Sequence, residues 1–332
     1  MKIAALALFL AGSLCAAEPA PILIDTDCGA DDLMAIAFLL SRPDVRIEAI
    51  TVENGLAHVQ PGAENVLRLL EVGGRGDVPV YLGHEMPLSG HAAFPEVWRK
   101  SADAPVGDHA AQHTPQKQLA GDYLAARLRD HSRPLRILAL GPLTNLGEAL
   151  QQTPDGLLAI ELVIMGGALY APGNLGDGGY FQTDNKTAEW NFYVDPLAAK
   201  RVFQSGAKIR LVPLDVTNKV RIDSGLLKAF QKARTPLGQF VDAALREHSS
   251  NIQQGIYYAW DPLAAVAMIA PGVVRESLLA VEVRQSPPEE GRTVEKVDYP
   301  PNASVALSAD AEAFRQIFLS AFHPSGFKSR KP

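Results

Sequence analysis

Short apolar runs alternate with segments of helical periodicity along most of the chain. Five runs of five to seven residues are predicted to be buried strands, at 21–26, 46–52, 136–140, 159–165 and 208–213. Four segments place apolar residues at helical spacing, at 32–40, 63–71, 117–130 and 196–205. Continuous apolar strands that alternate with helices are typical of a parallel sheet covered on both faces. The pattern predicts an α/β fold, a single domain with a mostly parallel central sheet flanked by helices.

The first 17 residues have the features of a secretory signal peptide. Lys2 gives a positive start, residues 3–14 are almost entirely apolar, and the segment ends on Cys15-Ala16-Ala17, small residues that suit a cleavage site. The sequence therefore predicts a signal peptide over 1–17, a folded domain over 18–332, and export, expected to be to a bacterial periplasm. No later run approaches 18 uninterrupted apolar residues, so no membrane partner is expected.

Composition excludes several classes of protein. With 332 residues and 47% hydrophobic residues the chain has ample material for a core, which rules out disorder. A net charge of −6 without a basic run argues against nucleic-acid binding. Segment 83–115 is rich in His, Pro, Gly and Ser and is predicted to be a long loop insertion. Its histidines lack the tight spacing of a zinc site; they are His84, His91, His109 and His113.

Four carboxylates lie within eight residues at the end of the first predicted strand. Asp25, Asp27, Asp31 and Asp32 would repel one another strongly unless a cation lies among them. Sites made of oxygen ligands alone suit Ca²⁺ or Mg²⁺ better than zinc. Two alternatives remain open from these residues. One is a loop in which an aspartate caps the next helix, and the other is an aspartyl-phosphate phosphatase, whose signature has Thr or Val where this chain has Gly29.

The same segment begins a series of motifs that resembles the nucleoside hydrolases, which cleave the N-glycosidic bond of ribonucleosides. DTDCGADDLMAI is similar to the family's D-T-D-P-G-x-D-D-A-x-A-I signature, with Cys28 in place of Pro. Because Gly29 remains, the turn is expected to persist. Further motifs follow in the family's order: LGPLTN at 140–145, MGG at 165–167, GN at 173–174, AEWNF at 188–192 followed by Asp195-Pro196, and WDPLA at 260–264. The resemblance implies a nucleoside hydrolase-like catalytic domain over 18–332.

The resemblance also implies a calcium site. Asp27, Asp32 and Asp261 would be its side-chain ligands, and the backbone carbonyl of Leu140 would join them. Asp27 would double as the general base on a calcium-bound water that attacks the ribose.

The resemblance further assigns residues to the sugar. Amides and carboxylates suit ribose hydroxyls, which both donate and accept hydrogen bonds. The implied ribose-binding residues are Asp31, Asn174, Glu189 and Asn191. The alternative for Glu189 and Asn191, judged without the resemblance, is an ordinary polar loop. Asn54, after the second predicted strand, is a further candidate contact.

Two tryptophans indicate which base is bound. Trp260 stands directly before Asp261, where many family members have a His thought to help protonate the departing base. Trp260, with Tyr257 just before it, resembles the purine-preferring branch, in which a second Trp comes from the long loop; Trp98 in FPEVWR occupies the similar place. Two indoles would sandwich a purine and make its ring nitrogen easier to protonate.

These features predict an exported, calcium-dependent purine nucleoside hydrolase. Its partner would be a small-molecule nucleoside, and a homodimer is expected by analogy with purine-preferring relatives. Two alternatives stay open. The same fold and metal would serve a pyrimidine or broad-specificity nucleoside hydrolase, and a periplasmic binding protein would capture nucleosides without cleaving them.

Overall fold

The computed structural model describes residues 20–90, 93–107, 110–158, 160–176 and 179–323. The predicted signal peptide over 1–17, together with His91 and His109, lies outside the described residues. The strands are β1 Ile22–Thr26, β2 Ile47–Val52, β3 Val80–Leu82, β4 Gln116–Leu119, β5 Arg136–Ala139, β6 Glu161–Met165, β7 Lys208–Val212, β8 Val274–Leu279, β9 Val281–Val283, β10 Thr293–Glu295 and β11 Ala303–Ala309.

Helices cover both faces of the sheet, and a short 3-10 helix at Pro271–Val273 precedes β8. The helices are α1 Ala30–Leu40, α2 Val59–Val72, α3 Glu96–Ala102, α4 Ala120–Arg129, α5 Thr144–Gln152, α6 Trp190–Val194, α7 Pro196–Phe203, α8 Leu214–Thr217, α9 Ser224–Phe230, α10 Pro236–Glu247, α11 Ser249–Gln254, α12 Trp260–Ile269 and α13 Ala311–Phe322. In the described part of the chain, no helix has both the length and the apolar character needed to cross a membrane.

Nine strands form one sheet in the order β4-β3-β2-β1-β5-β6-β7-β11-β8. Neighbouring strands are parallel except β11 and β8, which are antiparallel. The chain proceeds outward from β1 in one direction and from β5 in the other, so these two neighbours mark the topological switch point. In open α/β sheets, ligands bind outside the carboxyl ends of the strands at this point. The predicted α/β fold with a mostly parallel sheet is confirmed.

Successive side chains along each strand point to opposite faces of the sheet, where they pack into two separate hydrophobic cores. Ile22 and Ile24 of β1 belong to the larger core, whereas Leu23 points to the other face of the sheet. The larger core packs the sheet against α1, α2, α10, α12 and α13, and the second packs it against α4, α5 and α7. A sheet buried on both faces explains why its central strands are continuous apolar runs.

The structure differs from the sequence prediction at the sheet edge. The helix expected over 117–130 begins only at Ala120, because Gln116–Leu119 pairs with β3 as an edge strand. The long loop predicted over 83–115 contains one short helix, α3.

Candidate functional site

Polar groups from four places in the sequence meet at the carboxyl edge of the sheet. Asp27 directly follows β1, Asn54 lies two residues after β2, and Leu140 directly follows β5. Because β2, β1 and β5 are adjacent, these residues share one edge at the switch point. Asp261 reaches the same edge from the first turn of α12.

Two of the three aspartates predicted as metal ligands, Asp32 and Asp261, come together there with Asp31. Asp31, Asp32 and Asp261 each offer one carboxylate oxygen, and these three oxygens lie within 4.8 Å of one another. The carboxyl groups of Asp27 and Asp261 both lie within hydrogen-bonding range of that of Asp32. Asp31, which the resemblance assigned to the sugar, is therefore one of the three aspartates whose oxygens converge. Asp27 is not in this group, but its carboxyl group is next to that of Asp32.

These carboxyl groups cannot all ionise easily without a cation. Burial, followed by the charge of Asp32, raises the pKa of Asp27 and Asp261 well above the usual range and that of Asp31 to about 7. Two unit charges 4.8 Å apart repel by about 3.5 kcal/mol at an effective dielectric constant of about 20. The Oδ1 atom of Asp261 is buried and accepts no hydrogen bond from the described residues.

The same groups fit a hard divalent cation. All the donors are oxygens, which suits Ca²⁺ or Mg²⁺. The carbonyl oxygen of Leu140 accepts one hydrogen bond, from Nδ2 of Asn191 at 2.9 Å, and keeps a second lone pair. A cation would offset the carboxylate repulsion and use the unpaired oxygen of Asp261.

Hydrogen bonds fix the two aspartates on either side of the first turn. Oγ1 of Thr26 donates to Oδ1 of Asp32 at 2.5 Å, and the amide of Gly29 donates to Oδ2 of Asp32 at 3.0 Å. Asp27 accepts a bond from the amide of Leu56 at 2.7 Å through Oδ2. Asp32 is thus held through both oxygens, whereas a backbone amide holds Asp27 through Oδ2.

The turn itself differs from the expected one. Cys28 has φ 63°, a left-handed conformation that proline cannot adopt, whereas Gly29 is extended at φ −60° and ψ 166°. The left-handed residue is therefore the cysteine and not the glycine. Burial raises the pKa of the Cys28 thiol, which keeps it protonated and weakly nucleophilic.

The sequence did not predict the buried network of hydrogen bonds that joins Glu53, Asn145 and Asp25. The Glu53 carboxylate accepts bonds from the amides of Leu143 at 3.0 Å and Asn145 at 3.1 Å. Nδ2 of Asn145 in turn donates to Asp25 at 2.9 Å. These bonds tie the ends of β1 and β2 to the loop that carries Leu140. Polar residues at the end of apolar strands were the available signal.

The predicted ribose-binding residues cluster around the start of α6. Oδ1 of Asn174 accepts a bond from the amide of Trp190 at 3.0 Å. Glu189 accepts bonds from the amides of Asn191 at 2.9 Å and Gly167 at 3.0 Å and caps α6, and burial raises its pKa to about 7. Nδ2 of Asn191 donates to the carbonyls of Leu140 and Met165. No described residue donates a hydrogen bond to Oδ1 of Asn191. The structure places these side chains together, with Asn191 bridging to the Leu140 carbonyl.

The predicted base-binding tryptophans lie in two separate aromatic clusters. The Trp98 ring meets Trp190 edge-on at 5.6 Å, in a cluster that also includes Leu56. The Trp260 ring meets Tyr257 edge-on at 5.3 Å. No ring contact joins Trp98 to Trp260 in the described structure. The Trp98 cluster contains Leu56, whose amide donates to Asp27. The other cluster contains Trp260, which directly precedes Asp261. Each aromatic cluster is therefore linked to one of the aspartates.

Comparisons with known proteins show which sequences and structures this chain is similar to. The model of the family described as inosine-uridine preferring nucleoside hydrolase matches residues 22–316. The pyrimidine-specific ribonucleoside hydrolase RihA of Salmonella agona is 33% identical over 310 residues, which cover 89% of this chain and 95% of that protein.

Solved structures with similar folds include two nucleoside hydrolases, one of which is described as purine-preferring. A plant nucleoside hydrolase, PpNRh1, has a TM-score of 0.81 and 28% identity, covering 92% of this chain and 99% of that one. The purine-preferring ribonucleoside hydrolase from Gardnerella vaginalis has a TM-score of 0.79 and 25% identity, covering 92% and 98% of the two chains.

Proposed function

Because the chain belongs to the inosine-uridine preferring nucleoside hydrolase family, we propose that it cleaves purine ribonucleosides to free base and ribose with the help of Ca²⁺. The observation that carries this proposal is the convergence of Asp27, Asp32 and Asp261 at the switch point of the sheet. A nucleoside-binding protein would need contacts to the sugar but no buried carboxylate able to take a proton from water.

The carboxylates of Asp27, Asp32 and Asp261, with the carbonyl of Leu140, would hold the ion. When bound, Ca²⁺ orients water and ribose hydroxyls and lowers the pKa of the water. Asp27 accepts the proton of the attacking water. Its Oδ2 atom is held by the Leu56 amide, and its carboxyl group lies within hydrogen-bonding range of that of Asp32. Asp32 is fixed through both oxygens and acts as a rigid ligand.

The sugar is bound by the cluster at the start of α6. Cleavage develops positive charge on the ribose ring, which nearby carboxylates stabilise. Nδ2 of Asn191 is used on the Leu140 carbonyl, and Oδ1 of the same side chain would accept a hydrogen bond from a ribose hydroxyl. Asn174 and Glu189 complete this side of the pocket, and Glu189 also fixes the backbone of α6.

The preference for purines rests on the two aromatic clusters. The larger ring system of a purine gains more from stacking on indole than that of a pyrimidine. Trp98 and Trp260 are partly exposed beside the aspartates, and Nε1 of Trp260 has no partner among the described residues. Pyrimidine specificity is the second candidate, favoured by the 33% identity to RihA.

A panel of nucleosides tests the function. Purified protein is incubated with inosine, adenosine, guanosine, uridine and cytidine, after chelation and after return of Ca²⁺. We expect release of ribose from the purine nucleosides only when Ca²⁺ is restored. Faster cleavage of uridine and cytidine would replace the purine assignment with the pyrimidine one, and no ribose from any of the five would refute hydrolysis.

Two substitutions test the aromatic clusters. Trp98→Ala and Trp260→Ala should each raise KM for inosine about tenfold, the value of one lost stacking contact. Tyr299→Ala is the matched control, because Tyr299 is 63% exposed and belongs to neither cluster. Equal effects on inosine and uridine would argue against purine selectivity.

We also propose that the protein is exported to a bacterial periplasm and works as a homodimer. The charged start, apolar run and small-residue end of segment 1–17 support export. Mass spectrometry of protein recovered from a periplasmic fraction should find Glu18 at the amino terminus, and light scattering gives the mass of the assembly.

A further inference from the structure

Departure of the base requires a proton that the groups described above do not supply. When the bond between C1′ and the base nitrogen breaks, its electron pair stays on the base, and a purine anion is a poor leaving group. Trp260 keeps its indole proton at all ordinary pH values. Burial, with the charge of nearby Asp31, raises the pKa of Tyr257 well above its usual value, so this phenol is a weak acid.

His248 stacks on Tyr257, which in turn contacts Trp260. His248 immediately follows α10, and its imidazole stacks on the Tyr257 ring with centroids 4.8 Å apart and planes 20° apart. Tyr257 meets Trp260 edge-on at 5.3 Å. The three rings form a continuous layer from the end of α10 to the start of α12, the helix that carries Asp261.

The imidazole of His248 is chemically suited to give up a proton. It is largely buried, and burial lowers its pKa, which makes its protonated form a stronger acid. No described residue hydrogen-bonds its ring nitrogens. Three other histidines hydrogen-bond to carboxylates instead: His58 to Asp103 at 2.8 Å, His84 to Glu148 at 2.7 Å and His113 to Glu71 at 2.6 Å.

We propose that His248 is the catalytic acid that protonates the departing base, an assignment that rests on the proposed hydrolase function. The imidazolium transfers a proton to a ring nitrogen of the base as the C1′–N bond breaks, and it becomes neutral imidazole. The attacking water forms the new C1′–O bond and gives its proton to Asp27. Solvent then returns one proton to His248 and removes one from Asp27, so the cycle closes as nucleoside plus water giving base plus ribose.

Two substrates that differ in their need for an acid test this role. Inosine needs a proton on its leaving group, whereas 4-nitrophenyl β-D-ribofuranoside releases a stable anion. His248→Phe keeps a ring on Tyr257 but removes the proton. We expect kcat for inosine to fall about 100-fold, the usual contribution of a general acid, and kcat for the nitrophenyl riboside to change by less than about twofold.

His131→Gln serves as the control, because His131 is exposed and lies at the opposite, amino-terminal side of the sheet beside Arg136. It should alter neither substrate. An equal fall with both substrates, or no fall with inosine, would overturn the assignment of His248. His248→Gln repeats the test if His248→Phe melts at a lower temperature than the parent. Failure of the unmodified protein to cleave any nucleoside would instead refute the hydrolase function itself.

Discussion

Neighbouring aspartates of one short motif are held in different ways. Asp32 receives bonds from Thr26 and Gly29 on its two oxygens, so its geometry is fixed before any ion or substrate arrives. Asp27 is held by the Leu56 amide on Oδ2. A fixed carboxylate suits a permanent ligand, whereas a base needs an oxygen that can take and release a proton. Position within the turn would therefore separate the roles that we propose for two chemically identical groups.

Replacing the base should stop the reaction while keeping the fold. In Asp27→Asn the amide oxygen can still accept the Leu56 bond, but the side chain can no longer take a proton. We expect kcat/KM for inosine to fall by about 10³ or more, with an unchanged melting temperature. Asp298→Asn, in an exposed loop, is the matched control and should retain full activity. Activity of Asp27→Asn above a tenth of the parent would remove Asp27 from the role of base.

Residues close in sequence were predictable, and their distant partners were not. The acidic motif after β1 could be identified because its carboxylates are adjacent in the chain. The bonds from Glu53 to Leu143 and Asn145 join segments that only the sheet brings together. His248 carries no motif, and its relation to Tyr257 depends on where α10 ends.

At the scale of elements, single buried carboxylates fasten the loops around the site. Asp215 of α8 accepts bonds from the amides of Leu169 at 2.8 Å, Tyr170 at 2.7 Å and Ala171 at 3.1 Å, which fixes the segment after β6. Asp195, fully buried between α6 and α7, does the same for the segment after β3. Charge-assisted bonds to backbone amides hold such loops more firmly than neutral ones.

Loss of the Asp195 carboxylate should destabilise the protein. It accepts bonds from Leu88 N at 2.6 Å, Thr144 Oγ1 at 2.8 Å and Ala198 N at 3.0 Å. Asp195→Ala leaves these donors without their acceptor, at a cost of about 3 kcal/mol or more, and should lower the melting temperature by about 5 °C or more. Asp155→Ala, at an exposed turn, should melt with the parent. A shift of less than about 3 °C would mean that water replaces the carboxylate.

Element prediction succeeded where strands are central and failed at the edge. β1, β5 and β6 are buried on both faces, so their apolar runs identify them. All four residues of β4 are exposed, and this strand exists because β3 offers a hydrogen-bonding edge. Its sequence contains no local signal that distinguishes it from the first turn of α4.

At the scale of the whole molecule, topology creates the site. Asp32 and Asp261 are far apart in the chain, and they meet because α12, which carries Asp261, packs against α1, which carries Asp32. The strand order brings the end of β1 beside the end of β5, which places the Leu140 carbonyl with the aspartates. The sequence motifs predicted which residues belong to the site, and the order of the strands explains why these residues come together.

The same convergence should make stability depend on pH and on the ion. Burial raises the pKa of Asp25, Asp31 and Glu189 to about 7 in the folded protein. In the unfolded chain such groups ionise near pH 4. Between about pH 4 and 7 the folded state therefore binds more protons than the unfolded state, so the ion-free protein loses stability as the pH rises through this window.

Calcium should reverse this trend, because it binds the ionised carboxylates and the folded state only. For chelated protein we expect a lower melting temperature at pH 7.5 than at pH 5.5, and saturating Ca²⁺ should raise it by about 5 °C at pH 7.5 and by less at pH 5.5. Asp261→Asn is the informative variant: it removes one charge from the group, so its ion-free form should lose less stability with rising pH while its response to Ca²⁺ shrinks. The chelated parent should melt at a lower temperature as the pH rises, because its folded state binds more protons than its unfolded state. A melting temperature that rises between pH 5.5 and 7.5 would contradict the arrangement of buried carboxylates around a shared cation.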